Sequence, residues 1–253
     1  MQENQPTINV QIWKSFVDEV EISLRTPSGT LVGPIQKILG PQRFRVGETE
    51  ILLYYGEPNP YSVAQEIYLD FLPAGTYITS GVWEIILTPR KIVEGEYEMW
   101  LPSENVLNKG TGFLFPKENI SLTIPSTAER VISVGAYDAL TFTYANFSGR
   151  GYLLGSGRIK PDLVAPGVNV TTARAGGGTV TASGTSFATP FVTGAAALLM
   201  EWGIVWGNDP FLYGEKVKAY LRRGARALPG FKEYPNSQVG YGALCVSESL
   251  PKR

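Results

Sequence analysis

The apolar residues of this chain change their spacing near residue 118, and that change dictates a two-part architecture. Before it, apolar and polar residues alternate. Ile8, Val10 and Ile12 do so, as do Val20, Ile22 and Leu24, then Ile51, Leu53 and Tyr55. Ile67, Leu69 and Phe71 continue the series, followed by Trp83, Ile85 and Leu87 and by Tyr97, Met99 and Leu101. A period of two puts successive side chains on opposite faces of a strand. Turn-forming clusters separate the runs: "TPSG" at 26–29, "GEPNP" at 56–60, "LPAG" at 72–75 and "VEGE" at 93–96. No stretch in this half sustains a helical period. Many short strands with regular turns predict a two-sheet β-sandwich, a jelly roll, over residues 1–118. Trp13, Trp83, Trp100 and the Tyr54-Tyr55 pair read first as core aromatics, and second as the lining of a sugar or peptide groove.

Residues 119–253 follow different rules. "RVISVGAYD", 130–138, is a continuous apolar run of the kind buried in a parallel sheet. "IKPDLVAPGVNVTTA" gives a strand, a Pro-Gly turn and a second strand, and a glycine-rich stretch leads to Ser186. A helix follows: Ala188, Val192, Ala195, Leu199 and Trp202 recur at helical spacing, with Phe191 and Leu198 widening the stripe. A second helix is predicted within "NDPFLYGEKVKAYLRRGA", with Asp209 as N-cap and Pro210 in its first turn. Arg222, Arg223 and Arg226 then fall in its last turns, where positive charge is favourable, a reading preferred to an anion-binding patch. This half is predicted to be part of an α/β sheet.

The 22 basic and 23 acidic residues leave a net charge of −1, which argues against nucleic acid as a partner. No apolar run approaches the length of a membrane span, and the first residues do not resemble a signal peptide. The single cysteine, Cys245, excludes an internal disulfide and reads as a small core residue. No cluster of cysteine or histidine suggests a metal centre, so no metal ligand is assigned.

Ser186 carries the chemical interest. It stands where a tight turn becomes a helix, and backbone N–H groups there lack intrahelical partners and favour negative charge. Such a serine suits a reaction that generates an oxyanion. Yet the sequence contains no histidine, and a serine hydroxyl needs a neighbouring base to become a nucleophile.

The second half resembles the C-terminal half of subtilisin-like serine proteases. The nucleophile motif stands here as Gly184-Thr185-Ser186-Phe187-Ala188-Thr189-Pro190, followed by Gly194-Ala195-Ala196-Ala197-Leu198-Leu199. "KPDLVAPG" at 160–167, "ERVISVGAYD" before it and "SQVGYGALCV" at 237–246 match in order. The resemblance implies that Ser186 is the nucleophile and that its N–H is one oxyanion donor. It implies that Pro125 is a cis-proline beside the specificity pocket, with Thr123, Ile124 and Ser126 shaping that pocket. Pro190 is expected to disturb the helix little. No asparagine among Asn105, Asn108 and Asn119 sits in the glycine-flanked context of the family's oxyanion asparagine, and neither Asp138 nor Asp162 is assigned to a triad.

A sandwich placed just ahead of the serine-side segments resembles the Csp-type clostridial subtilases. Those carry a jelly roll inserted in the protease domain and activate a spore-cortex hydrolase zymogen during germination. By that resemblance the chain is a fragment whose parent is an endopeptidase. The aspartate, histidine and oxyanion asparagine lie in an N-terminal half ahead of Met1, and the fragment alone is inactive. Its partners are then a protein or peptide substrate and that other half, with self-association through the uncovered half-sheet. The location follows as spore-associated or extracellular. Members of the family often bind calcium, but no segment here assembles a calcium loop, so no cofactor is assigned. The alternative is a pseudoprotease scaffold, and a histidine in the parent's upstream sequence separates the two.

Overall fold

The computed structural model describes residues 1–57, 60, 62–103, 106–151 and 159–251. The chain divides into two compact units, Met1–Pro116 and Lys117–Arg253.

The first unit contains β1 (Ile8–Ser15), β2 (Glu19–Arg25), β3 (Leu31–Ile35), β4 (Gly40–Val46), β5 (Thr49–Tyr55), β6 (Ala64–Pro73), β7 (Glu84–Lys91) and β8 (Tyr97–Trp100). They form a five-stranded sheet, β4-β5-β6-β1-β8, and a three-stranded sheet, β3-β2-β7. Every pairing is antiparallel. The alternation decides which face is buried. Ile8, Val10, Ile12, Ile51, Leu53, Ile67, Leu69 and Phe71 of the larger sheet share one core with Ile22 and Leu24 of the smaller. Each such side chain, fully buried, contributes about 1.5–3 kcal/mol.

Two strands were not anticipated, β3 and β4, and each contains a proline, Pro34 and Pro41. Both are edge strands, where a missing N–H costs no ladder bond. The aromatics divide between two faces. Trp83 packs edge-on against Phe71 at 5.2 Å and its indole donates to the Thr79 carbonyl at 2.9 Å. Tyr55 is also core. Tyr54, Trp13 and Trp100 lie on the outer face of the larger sheet, in strands whose register joins Tyr54 to Tyr68, and Tyr68 and Trp100 to Gln11. The five aromatics therefore line no common groove.

Asp18 follows β1 and closes the β7–β8 connection. Its carboxylate accepts the N–H groups of Val93, Glu94 and Gly95 at 2.6, 2.9 and 2.8 Å. Those donors hold its carboxyl below the usual range. A depressed folded-state value stabilises the fold above the ordinary carboxylate pKa of about 4 and loses that contribution as pH falls through the depressed value. Asp18→Asn is expected to lower stability at about pH 6 and to flatten its decline toward about pH 3. Urea unfolding at both pH values checks this; parallel declines in the two proteins would remove Asp18 as the cause.

Among its described residues the second unit contains β9 (Val134–Asp138), β10 (Thr143–Tyr144), β11 (Leu163–Pro166), a hairpin of β12 (Val170–Ala173) and β13 (Thr179–Ala182), and three α-helices. The helices are α1 (Thr185–Met200), continued by a π-helical turn at Glu201–Val205, α2 (Gly214–Arg223) and α3 (Val246–Ser249). In the sheet β10-β9-β11, β9 and β11 run parallel and β10 antiparallel. Ala188, Val192, Ala195 and Leu199 of α1 pack with Ala136, Leu163 and Ala165 of the two parallel strands, and with Leu212, Val217 and Leu221. Tyr137 and Val164 point the other way, into a cluster with Leu228, Val239 and Ala243. With both faces covered, the strands need continuous apolar runs.

Four expectations are corrected here. Phe191 and Leu198 do not widen the buried stripe; they are 44% and 54% exposed. β9 begins at Val134 rather than at residue 130. The second helix runs from Gly214 to Arg223 with Tyr213 as its N-cap, so Asp209 does not cap it and Arg226 lies beyond it; the Asp209 carboxylate accepts from Lys216 Nζ at 2.6 Å and Tyr220 OH at 2.9 Å. Residues 185–205 form a helical run of 21 residues, long and apolar enough to cross a membrane by length and composition. Its Ala188–Leu199 stripe is nonetheless a core face against β9 and β11.

Candidate active site

Backbone contacts at the end of β11 position Ser186. Gly167, the next residue, donates its N–H to the Tyr137 carbonyl at 3.0 Å, and its own carbonyl accepts the Gly184 N–H at 2.8 Å. A Cβ at Gly167 would lie 2.6 Å from Ala136 Cβ and 3.0 Å from the Gly184 carbonyl, so only glycine permits this approach. Gly184 takes φ 153° and ψ 158° as the residue before α1, a region open essentially to glycine alone. Thr185 then opens the helix and Ser186 is its second residue.

Ser186 is exposed. Its N–H belongs to the first turn, whose amides lack intrahelical acceptors and carry the positive end of the helix dipole. No acidic side chain occupies that turn. Pro190 is the sixth helical residue, so its missing N–H withdraws one bond, the one the Ser186 carbonyl would accept. Gly184, Thr185, Ser186 and Pro190 thus form one continuous structural element. Among the described residues, no side chain hydrogen-bonds to the Ser186 hydroxyl.

Thr123, Ile124, Pro125 and Ser126 lie on a separate segment without regular structure. The first three are exposed, Ile124 by 84%, and the Ile124–Pro125 peptide is cis. Two bonds shape the segment: Ala128 N–H donates to the Pro125 carbonyl at 3.0 Å, and Ser133 Oγ donates to the Ser126 carbonyl. Among the described residues, no hydrogen bond joins it directly to α1.

Asp138 Oδ1 accepts the Leu140 N–H at 2.8 Å and serves a turn. Asp162 is wholly buried and ion-paired. Asn108 is tied to Gln5 and Glu3 in the first unit, and Asn105 lies outside the described residues. Among the described residues no three histidine, cysteine or acidic side chains gather as a metal site. Burial pushes the Lys160 ammonium below its ordinary pKa, an effect the adjacent Asp162 opposes.

Two features escaped the motif reading. Gly167 was quoted in "APG", yet its role depends on a contact with Gly184, 17 residues on by number. Lys160 and Asp162, two apart, carried a signal that could have been used: in extended chain, i and i+2 share a face.

The exposed serine stands on a glycine-built turn at a helix start, beside parallel strands, and the subtilase family model matches residues 109–242. The chain belongs to the subtilase family. The solved CspB protease of Clostridium perfringens is 40% identical, with a TM-score of 0.90 over 98% of this chain and 52% of CspB. Serine protease AprX of Bacillus subtilis is 32% identical over 151 residues, covering 52% of this chain and 32% of AprX. The yeast Saccharomyces cerevisiae has a subtilase-type proteinase, RRT12, that is 36% identical over 149 residues, covering 56% and 28%. The chain thus spans about a third of the length of these curated relatives and about half of CspB.

Proposed function

We propose that this chain is the serine-bearing part of a subtilisin-like endopeptidase and that Ser186 is its nucleophile. The observation carrying this is the exposed Ser186 at the open N-terminus of α1, on a turn that Gly184 and Gly167 alone permit. Ser186 Oγ attacks the peptide carbonyl carbon, and the carbonyl oxygen becomes an oxyanion facing the Ser186 N–H. The hydroxyl proton passes to a histidine and then to the departing amine; water hydrolyses the acyl-enzyme. The sequence has no histidine, so the base comes from a part of the protease outside this sequence, and its aspartate and the second oxyanion donor are assigned to that part with it. Alone, the chain is inactive.

The exposed Phe191 and Leu198 on α1 suit an apolar surface covered by that other part, and a second copy of the chain is the competing occupant in its absence. The two-sheet unit is read as a jelly roll inserted within the protease domain, as the CspB likeness across 98% of the chain favours. Residues 123–126 form a wall of the substrate pocket. The substrate is protein, and activation of a spore-cortex hydrolase is the reading for the parent.

A fluorophosphonate probe tests this on the chain alone and on the full-length protein. The full-length protein is expected to label at Ser186 and the chain alone not at all. Failure of the full-length protein to label would replace catalysis with a scaffold role.

A further inference from the structure

We infer that Asp162 is a positioning residue that fixes the 123–126 wall relative to the Ser186 turn, an assignment that rests on the proteolytic reading of those two elements. Asp162 is fully buried, yet it faces three cations. Its Oδ2 accepts the Ser133 N–H at 2.6 Å and lies 3.1 Å from Lys160 Nζ. Its Oδ1 lies 3.2 Å from Lys218 Nζ and accepts Arg222 Nε at 2.8 Å, with a second bond from the same guanidinium. Arg222 in turn stacks over Tyr241 at 4.9 Å.

A buried ion cluster is weak evidence for stability, because desolvation offsets much of the attraction. What distinguishes this one is where the ammonium protons go. Lys160 Nζ donates to the Val131 carbonyl at 2.8 Å and to Ser133 Oγ at 2.9 Å. Lys218 Nζ donates to the Glu129 and Val131 carbonyls at 2.8 and 2.9 Å. Every one of these bonds lands on residues 129–133, which lie between the wall and β9 and belong to no helix or strand. Val131 is itself 38% exposed, so the apolar hold on that stretch is limited to the partly buried Ile132, and the lysine bonds to the 129 and 131 carbonyls supply the rest. Ser133 then passes the restraint on through its hydroxyl to the Ser126 carbonyl.

The same carboxylate stands immediately before β11, at whose far end the Gly167 carbonyl holds the Gly184 N–H. Asp162 is therefore the common anchor of the wall and of the nucleophile turn. Asp162→Asn keeps an oxygen for the Ser133 N–H but removes the charge that retains both lysines.

Hydrogen–deuterium exchange on the 253-residue chain reads the restraint directly. Asp162→Asn is expected to speed exchange across 121–133 by about tenfold or more while amides of α1 keep their rates. Ser133→Ala, which cuts the link to Ser126 and the Lys160 bond to the same hydroxyl, is expected to loosen 123–128 while the lysine bonds to the Glu129 and Val131 carbonyls stay in place; it also covers the case in which the Asn variant does not fold. In the full-length protease, Ser133→Ala is expected to raise KM for peptides about tenfold with kcat nearly held, and Ser133→Thr to restore it. Uniform acceleration of exchange across the second unit, or none at 121–133, would overturn the assignment. Localised exchange in a protein that never labels at Ser186 would retain the anchor and reject the proteolytic reading instead.

Discussion

On the proteolytic reading proposed above, replacing Ser186 by alanine in the full-length protein is expected to lower kcat for peptide hydrolysis by on the order of 10⁶-fold, the loss found when a subtilisin loses its serine. KM is expected to change little. The hydroxyl contributes a bond that forms only during reaction, whereas peptide binding relies on surrounding backbone and pocket contacts. The fold should survive, because Ser186 is exposed and its side chain makes no hydrogen bond to another described residue. Far-ultraviolet circular dichroism matching the parent, together with loss of turnover, separates chemistry from unfolding. Retention of even a hundredth of the activity would place the nucleophile elsewhere, since a triad without its serine falls back on residual catalysis of about 10³–10⁴ over water.

The largest stability effect is expected in the first unit. Phe71→Ala should cost about 3–5 kcal/mol, the usual penalty for deleting a buried aromatic from a close-packed core. Phe71 is 1% exposed, sits opposite Ile8 and Ile51 in the ladders on either side, and meets Trp83 edge-on at 5.2 Å. The edge-on pair adds about 0.5–1.5 kcal/mol beyond area. Tyr54→Ala, on the outward face, should stay within about 0.5 kcal/mol. Urea unfolding followed by tryptophan emission gives both numbers, and equal losses at the two positions would contradict the inside–outside assignment of β5 and β6.

How far these elements could be read in advance depended on the range of the interactions behind them. Alternation found β1, β2 and β5 to β8 because it reports a local fact, which side chains face the core. It passed over β3 and β4 because their prolines signal breaks, and only the sheet order reveals that both lie at edges. Phe191 and Leu198 read as core since periodicity registers that a face is apolar without registering what covers it. Asp209 has the composition of a cap, but its partners, Lys216 and Tyr220, are further along the chain and claim its carboxylate. The serine turn was legible because its geometry admits so few residues that they stand together as a motif. The Asp162 anchor was not, because its partners Ser133 and Arg222 are 29 and 60 positions away.

The parallel run of β9 and β11 carries a consequence for how this surface can diversify. Both strands point the same way, and Gly167 brings the start of α1 to the end of β11. Ser186 therefore stands just outside the carboxyl ends of the strands, where open α/β sheets form the crevice that receives ligands. Of the connections that leave those ends, 139–142 after β9 is exposed and can change without disturbing an inward-facing side chain, whereas 167–169 after β11 is held by Gly167 and by Val168, which packs against the core. Under the proteolytic reading proposed above, variation at 139–142 would alter what the crevice receives while leaving the core unchanged.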